Sequence, residues 1–338
     1  MTPSLRAVDE EGWRECYGGE LSVEDNNAAQ KTNTSVLQEV RARNSFQELL
    51  LALHSGSTHC PKASVNLSKP GTLDIGVMAS KEYKHYHDKE YHPSLLVATY
   101  VGADKKETKE EFLEVPMKML YDVLSSGSIK GDTAIDFTVG PSLGHLMVIP
   151  DFFKEIILVD TSDANIKDMN IWLNNKPGAI DWTHAAMFVC DLKGASQSWK
   201  DQEEKLRSAV KRVVKWNCTE KDQLASVNLP QADFLISLWA LEAISTNHKT
   251  FLSNLKKLSS CLKVGGHLFL SSVINTTYFK IAEHKFSVLN ISEQFLQKAL
   301  RDTGLSIVKS ETNENKSNTH LVDHSQVTYL VARKETVV

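Results

Sequence analysis

The chain has 338 residues, 41% of them apolar, and a formal net charge of −4. That length holds one large α/β domain plus an appendage, and the charge gives no basic footprint for nucleic acid. No apolar run reaches the roughly 18 residues a membrane span needs, and the polar, acidic N-terminus lacks the apolar core of a signal peptide.

Residues 1–80 differ from the rest. Residues 1–36 are polar and read as mostly disordered. Leu37 to His54 carries an apolar repeat (Leu37, Val40, Phe46, Leu49, Leu50, Leu53) that predicts one amphipathic helix. Ser55 to Ser80 reads as a linker. From residue 81 the pattern is globular, giving two predicted domains, a 1–80 extension and an 81–338 domain. Glu110 to Leu124 predicts a helix. Strands are predicted at Thr133–Phe137, Ile156–Val159, Ala186–Val189, Phe234–Leu238, His267–Ser271, Leu305–Val308 and Val327–Val331. Helices are predicted near Ala164–Asn174, Glu203–Lys215, Lys249–Leu262 and Ser292–Thr303. Continuous apolar strands alternating with amphipathic helices imply a parallel, doubly covered sheet. The long polar connection Lys309 to Gln326 permits a final antiparallel strand at the sheet's end. The fold class expected is therefore α/β, a Rossmann-like, doubly wound, seven-stranded sheet on the class I methyltransferase plan.

Five dispersed cysteines (Cys16, Cys60, Cys190, Cys218, Cys261) without a C-x-x-C pair read as reduced thiols of a cytoplasmic protein, not a disulfide frame or zinc site.

In such a sheet, ligands bind beyond the carboxyl ends of the strands, where the strand order reverses. Asp136 ends the first predicted strand, either facing a ligand or organising the turn that follows. Thr138, Val139, Gly140 and Pro141 form that turn, and Gly140 tolerates positive φ. Asp160 ends the second strand about 20 residues after the glycine, the position of a ribose-binding carboxylate. Asn165 lies one helical turn on and can bond the same ligand. Asn217 and Cys218 follow a predicted helix, and an amide there can meet an adenine edge with donor and acceptor; plain turn formation explains them equally well. Leu238 ends the fourth strand and either walls the cleft or belongs to the core.

These residues make the chain resemble the nicotinamide, indolethylamine and phenylethanolamine N-methyltransferase family from about Lys81 to Lys334. The resemblance rests on Lys-Gly-Asp-Thr-Ala-Ile-Asp at 130–136 and Trp-Leu-Asn-Asn-Lys-Pro-Gly-Ala-Ile-Asp-Trp at 172–182. Glu-Glu-Lys-Leu-Arg-Ser-Ala-Val-Lys-Arg-Val at 203–213 and Leu-Lys-Val-Gly-Gly-His-Leu at 262–268 extend it. It implies S-adenosylmethionine as cofactor, an N-terminal helical lid, a small-molecule amine or azaheterocycle as substrate, and in-line methyl transfer without metal. The expected protein is a cytoplasmic monomer without nucleic-acid or membrane partners.

The chain departs from that family's pattern at several positions. Where the family's motif reads Asp-Ile-Gly-Ser-Gly-Pro, Thr138 replaces the first glycine, and a tyrosine soon after is Gly144. An Asp-Val pair on the adenine side becomes Asn217-Cys218. Of the lid tyrosines only Tyr100 clearly survives, expected at the cofactor. On the substrate side, an aspartate of nicotinamide-type members is Ser272, a tyrosine is Phe279 and a serine is Val288. Two readings stay open: an active small-molecule N-methyltransferase with a more apolar pocket, or a homologue that keeps the fold and binds cofactor weakly or not at all.

Overall fold

The computed structural model describes residues 83–194, 198–217, 228–314 and 320–336. The helix and linker expected before residue 81, and Cys218, lie outside the described residues.

The elements, in chain order, are as follows. Helix α1 (Pro93–Tyr100) is followed by α2 (Lys106–Lys109), a π-helical turn Glu110–Glu114 and α3 (Val115–Ser125). The π turn precedes Pro116, whose ring has no N–H and crowds the carbonyl four residues back, so the ladder widens there. Strand β1 (Thr133–Asp136) leads through a 3₁₀ segment, His145–Asp151, to β2 (Glu155–Asp160) and α4 (Asp163–Leu173). Helices α5 (Thr183–Lys193) and α6 (Trp199–Ala209) precede β3 (Val210–Lys215) and β4 (Ala232–Leu238). Then come α7 (Ala240–Ile244), α8 (His248–Ser260), β5 (Leu262–Ile274) and the hairpin β6 (Tyr278–Ile281) and β7 (His284–Ser287). Helix α9 (Glu293–Asp302), β8 (Leu305–Glu314) and β9 (Gln326–Lys334) complete the fold.

Seven strands form one sheet in the order β3-β2-β1-β4-β5-β9-β8. The first five are parallel, and β9, the last in the chain, is antiparallel to both its neighbours. The sequence suggested a terminal position for it; it lies one strand in from the edge. The order reverses between β1 and β4, so the crevice of such a sheet opens beyond Asp136 and Leu238 with β2 alongside. Buried apolar side chains along β1, β2, β4 and β5 make the core.

Two sequence expectations are corrected. Ala186–Val189 is no strand but part of α5. Its buried residues Ala185, Ala186, Val189 and Cys190 follow helical spacing, and a short apolar run alone cannot separate the two states. The helix expected over Glu203–Lys215 stops at Ala209, and the rest is β3. That strand is a sheet edge, where exposed Lys211, Arg212 and Lys215 hide the apolar alternation of a buried strand. Its Val210, Val213 and Val214 favour an extended chain. The two family-like blocks around 172–182 and 203–213 meet directly, with the Arg207 guanidinium 4.0 Å above the Trp172 ring and 3.0 Å from Glu203.

Candidate functional site

The turn after β1 is pinned to β4 by backbone bonds, Phe137 N–H to the Ile236 carbonyl at 2.8 Å and Val139 N–H to the Leu238 carbonyl at 3.1 Å. Leu238 is therefore a core residue whose backbone holds the turn. Beneath it Asp136 is buried, accepting from the Thr138 hydroxyl at 2.9 Å and facing His145 Nε2 at 2.8 Å. Of its two possible roles, Asp136 thus organises the turn. Thr138 is not among the positive-φ residues, so a β-branched side chain is accommodated there without left-handed strain.

Gly140 is required twice over. Its φ is +80°, and a Cβ would lie 2.4 Å from Leu96 Cδ2. At Gly144 a Cβ would fall 2.7 Å from Leu113 Cδ1 and 2.9 Å from the Trp182 ring. The tyrosine of the resembling family has no room at that position.

Strand β2 delivers Asp160, 2% exposed. Its Oδ1 accepts the Ser162 N–H at 2.6 Å, and the Asn165 amide donates to its two oxygens at 3.2 and 3.0 Å. Ser162 also caps α4 by accepting from the Asn165 N–H, which fixes Asn165 in place. Burial pushes the Asp160 carboxyl up to about 7, the Asp136 carboxylate adding to the rise and the Ser162 and Asn165 donors opposing it.

A third polar group completes this cluster. The Tyr86 hydroxyl lies 3.0 Å from the Gly140 N–H and 3.5 Å from Asp160 Oδ2, and it also accepts from the Asn165 amide. Tyr91 donates to Asn165 Oδ1 at 3.0 Å. Burial and the neighbouring Asp160 charge raise both phenols, so they remain hydroxyls. The crevice bounded by Tyr86, Phe137, Thr138, Val139, Asp160 and Ala240 has no space for a water molecule.

Across Val139 lies a second, apolar cavity of about 80 Å³. Leu96, Val97, Tyr100, Phe112, Trp239 and Phe279 supply most of its wall, and Glu242 is the one carboxylate lining it among the described residues. Trp239 closes one side from a left-handed backbone, φ +54°, with its ring edge-on to Phe112 at 5.2 Å. A bulky residue in that region is strained, and such strain collects at functional sites. Glu242 is 1% exposed, accepting from the Val273 N–H at 3.0 Å and from the Ser272 hydroxyl at 3.4 Å. Burial raises its carboxyl to about 7 against those donors.

The residues expected from sequence therefore divide. Gly140, Asp160 and Asn165 converge on the Tyr86 hydroxyl, with Thr138 and Val139 in the crevice wall. Tyr100, expected at the cofactor, instead walls the apolar cavity. Its hydroxyl lies 2.8 Å from the Lys280 carbonyl and 3.1 Å from the Leu321 carbonyl, tying α1 to the hairpin. Phe279 lines the cavity and Ser272 reaches it through Glu242. Asn217 follows β3 half-buried, beyond the same carboxyl end of the sheet as Asp160.

Sequence reasoning missed Glu242, Tyr86, Tyr91 and His145. Glu242 did carry a signal, a lone acid inside Leu-Trp-Ala-Leu-Glu-Ala-Ile just beyond a buried strand. Tyr86 carried none, because its partners lie 54 to 79 positions away.

An acceptor carboxylate, an amide and a glycine N–H meeting on one hydroxyl have the chemistry of a sugar-hydroxyl site. These residues fit the ribose of a nucleoside cofactor, with the Tyr86 hydroxyl standing in the position such a hydroxyl would take.

Residues 77–335 match the NNMT/PNMT/TEMT family. Over 263 residues the chain is 32% identical to the nicotinamide N-methyltransferase of Homo sapiens, covering 78% of this chain and 98% of that protein. Over 265 residues it is 31% identical to the indolethylamine N-methyltransferase of Oryctolagus cuniculus, covering 78% and 99%. A solved SAM-dependent methyltransferase from Methanosarcina mazei is similar with a TM-score of 0.43 at 13% identity, covering 62% of this chain and 96% of that one.

Proposed function

The chain belongs to the NNMT/PNMT/TEMT family, and from that premise we propose that it is an S-adenosylmethionine-dependent enzyme methylating the nitrogen of a small, mostly apolar amine. The observation that carries this is Glu242, a buried carboxylate in the wall of an apolar cavity that shares Val139 with the crevice ending in Asp160.

The cofactor supplies an activated methyl group on a sulfonium sulfur. Asp160, Asn165 and the Gly140 N–H would hold its ribose. Asn217 and Cys218 are proposed for the adenine side, on sequence position. The apolar walls of Leu96, Phe112, Trp239 and Phe279 orient the amine's hydrocarbon part and exclude water. Glu242 faces the amine nitrogen. An ammonium has no lone pair, so a proton must leave before the nitrogen can attack. With its carboxyl raised to about 7, Glu242 ionises within the working range, attracts the cation and accepts that proton at a carboxylate oxygen. Ser272 and the Val273 N–H hold the carboxylate in place. Besides Glu242 the wall carries Ser142 and the Trp239 indole N–H, a buried donor without a partner among the described residues, so a polyol would leave most of its hydroxyls unpaired and is disfavoured.

One observation favours the second reading, a homologue with weak cofactor binding: Tyr86 fills the crevice. Calorimetric titration with S-adenosylhomocysteine, then transfer of a radiolabelled methyl to a panel of amines and nicotinamide, decides between them. An active enzyme prefers apolar amines to nicotinamide. Glu242→Gln keeps the volume and loses the base, so kcat/KM for amines falls roughly 10²- to 10⁴-fold, and the rise of kcat/KM near pH 7 disappears. Unchanged kcat/KM in this variant would remove Glu242 from the reaction.

A further inference from the structure

We propose that Tyr86 is an intrinsic competitor of the nucleoside, holding the ribose-binding groups with its own hydroxyl until the strap that carries it is displaced. The inference rests on the cofactor reading above and concerns the regulation of that same site.

One phenol hydroxyl satisfies three site groups at once. It accepts from the Gly140 N–H at 3.0 Å, accepts from the Asn165 amide and lies 3.5 Å from Asp160 Oδ2 as donor. That is the full capacity of a hydroxyl, one donor and two acceptor positions. A ribose hydroxyl would make the same bonds, so the two cannot be present together. The ring is 2% exposed and bounds a crevice with no room for water. Entry of a nucleoside therefore requires Tyr86 to leave.

The strap is built to detach. Residues 83–92 contain two hydrogen-bonded turns, Asp88 N–H to the His85 carbonyl at 2.9 Å and Tyr91 N–H to the Asp88 carbonyl at 3.0 Å. One end is fixed to the hairpin by Lys84, which exchanges backbone bonds of 2.8 Å with Lys285 and Ser287 of β7. The other end continues into α1. Between these anchors the strap is held by side chains, Tyr86 in the crevice, His87 Nε2 against the Thr161 hydroxyl at 2.9 Å and Tyr91 on Asn165 at 3.0 Å. No sheet ladder has to break for residues 85–91 to swing out, and displacing the Tyr86 hydroxyl by an incoming ribose returns its three bonds to the site.

The experiment measures adenosine and S-adenosylhomocysteine affinity calorimetrically for the full chain, Tyr86→Phe and Tyr86→Ala. Tyr86→Ala is expected to bind both ligands at least tenfold more tightly than the unmodified chain. Tyr86→Phe keeps the ring but leaves the Gly140 N–H without its acceptor in the closed state, while Asp160 and Asn165 keep their bonds to each other, so it gains an intermediate factor. The gain persists with 2′,3′-dideoxyadenosine, whose entry also requires Tyr86 to leave, but every affinity is lower because the ribose hydroxyls that would replace the Tyr86 bonds are missing. In the unmodified chain, adenosine should raise hydrogen exchange across residues 85–91, a readout that needs neither a variant nor turnover. Equal affinities in all three proteins, weaker binding by the variants, or protection of 85–91 by adenosine would each overturn the competitor role while leaving the cofactor reading intact. Absence of binding by all three proteins overturns both.

Discussion

The Thr138 hydroxyl donates to Asp136 Oδ1 at 2.9 Å, turning the β-branched residue that replaces a family glycine back towards the end of its own strand. His145 Nε2 meets the same oxygen at 2.8 Å. The departure at 138 is thus tied to a buried polar pair beneath the turn. Thr138→Gly removes a bond to a buried carboxylate and loosens the turn, which lowers stability by roughly 1–3 kcal/mol. Urea denaturation measures that loss. Adenosine affinity should stay within about threefold, since the Thr138 hydroxyl is engaged by Asp136 and the residue contributes only wall to the crevice. A tenfold gain in affinity would show instead that Thr138 crowds the crevice.

Asp160 makes stability depend on pH. Its carboxyl rises from 3.8 to about 7 in the folded chain, mainly through burial. A group whose folded pKa is the higher one contributes stability that is complete below about pH 4 and is lost as pH rises through 7. Asp160→Asn abolishes the titration. Each pKa unit corresponds to about 1.4 kcal/mol, so at pH 8.5 the variant should be more stable than the unmodified chain by roughly 2–4 kcal/mol. At pH 4 that advantage vanishes. Thermal melts at the two pH values test this, and parallel melts would contradict the buried-acid assignment. The same variant weakens adenosine, because the amide cannot accept both hydroxyls of a diol.

The sequence was most legible where the backbone pattern itself places a residue. Asp160 and Asn165 follow from a buried strand ending in an acid and from the capped helix after it, both local features. The seven strands and the antiparallel last one were readable for the same reason, except where local pattern is ambiguous. Ala186–Val189 is an apolar stretch that fits either state, and β3 is an edge strand whose outward charges imitate a helix face. What was not legible depends on distant pairing. Tyr86 meets Gly140 and Asp160 only after α1 and the strap have packed across the sheet end. Tyr100 was expected at the cofactor, yet its hydroxyl binds backbone at Lys280 and Leu321, a contact that no spacing in the chain announces. Glu242 lay between these cases, visible as an acid in an apolar helix but without a role until its cavity was seen.

Leu96 and Gly140 should be energetically coupled. Gly140 has φ +80°, and a methyl group there would lie 2.4 Å from Leu96 Cδ2. Gly140→Ala therefore meets two separate penalties, a left-handed backbone of about 1–2 kcal/mol and a steric clash of about 1–3 kcal/mol. Leu96→Ala removes the clash but not the backbone strain, and it opens space beside the apolar cavity at a cost of about 2 kcal/mol or more. The double variant is then less destabilised than the sum of the two, with a coupling of at least about 1 kcal/mol. Denaturation midpoints of the four proteins give that coupling directly. If the two changes add within about 0.5 kcal/mol, Leu96 yields freely, and its contact with the turn is not what keeps position 140 a glycine. A measured coupling instead means that the side chain at 96 helps set how closely anything can approach the Gly140 N–H. Leu96→Ala would then also change adenosine affinity, whereas a substitution remote from the turn, such as Met187→Ala, would not.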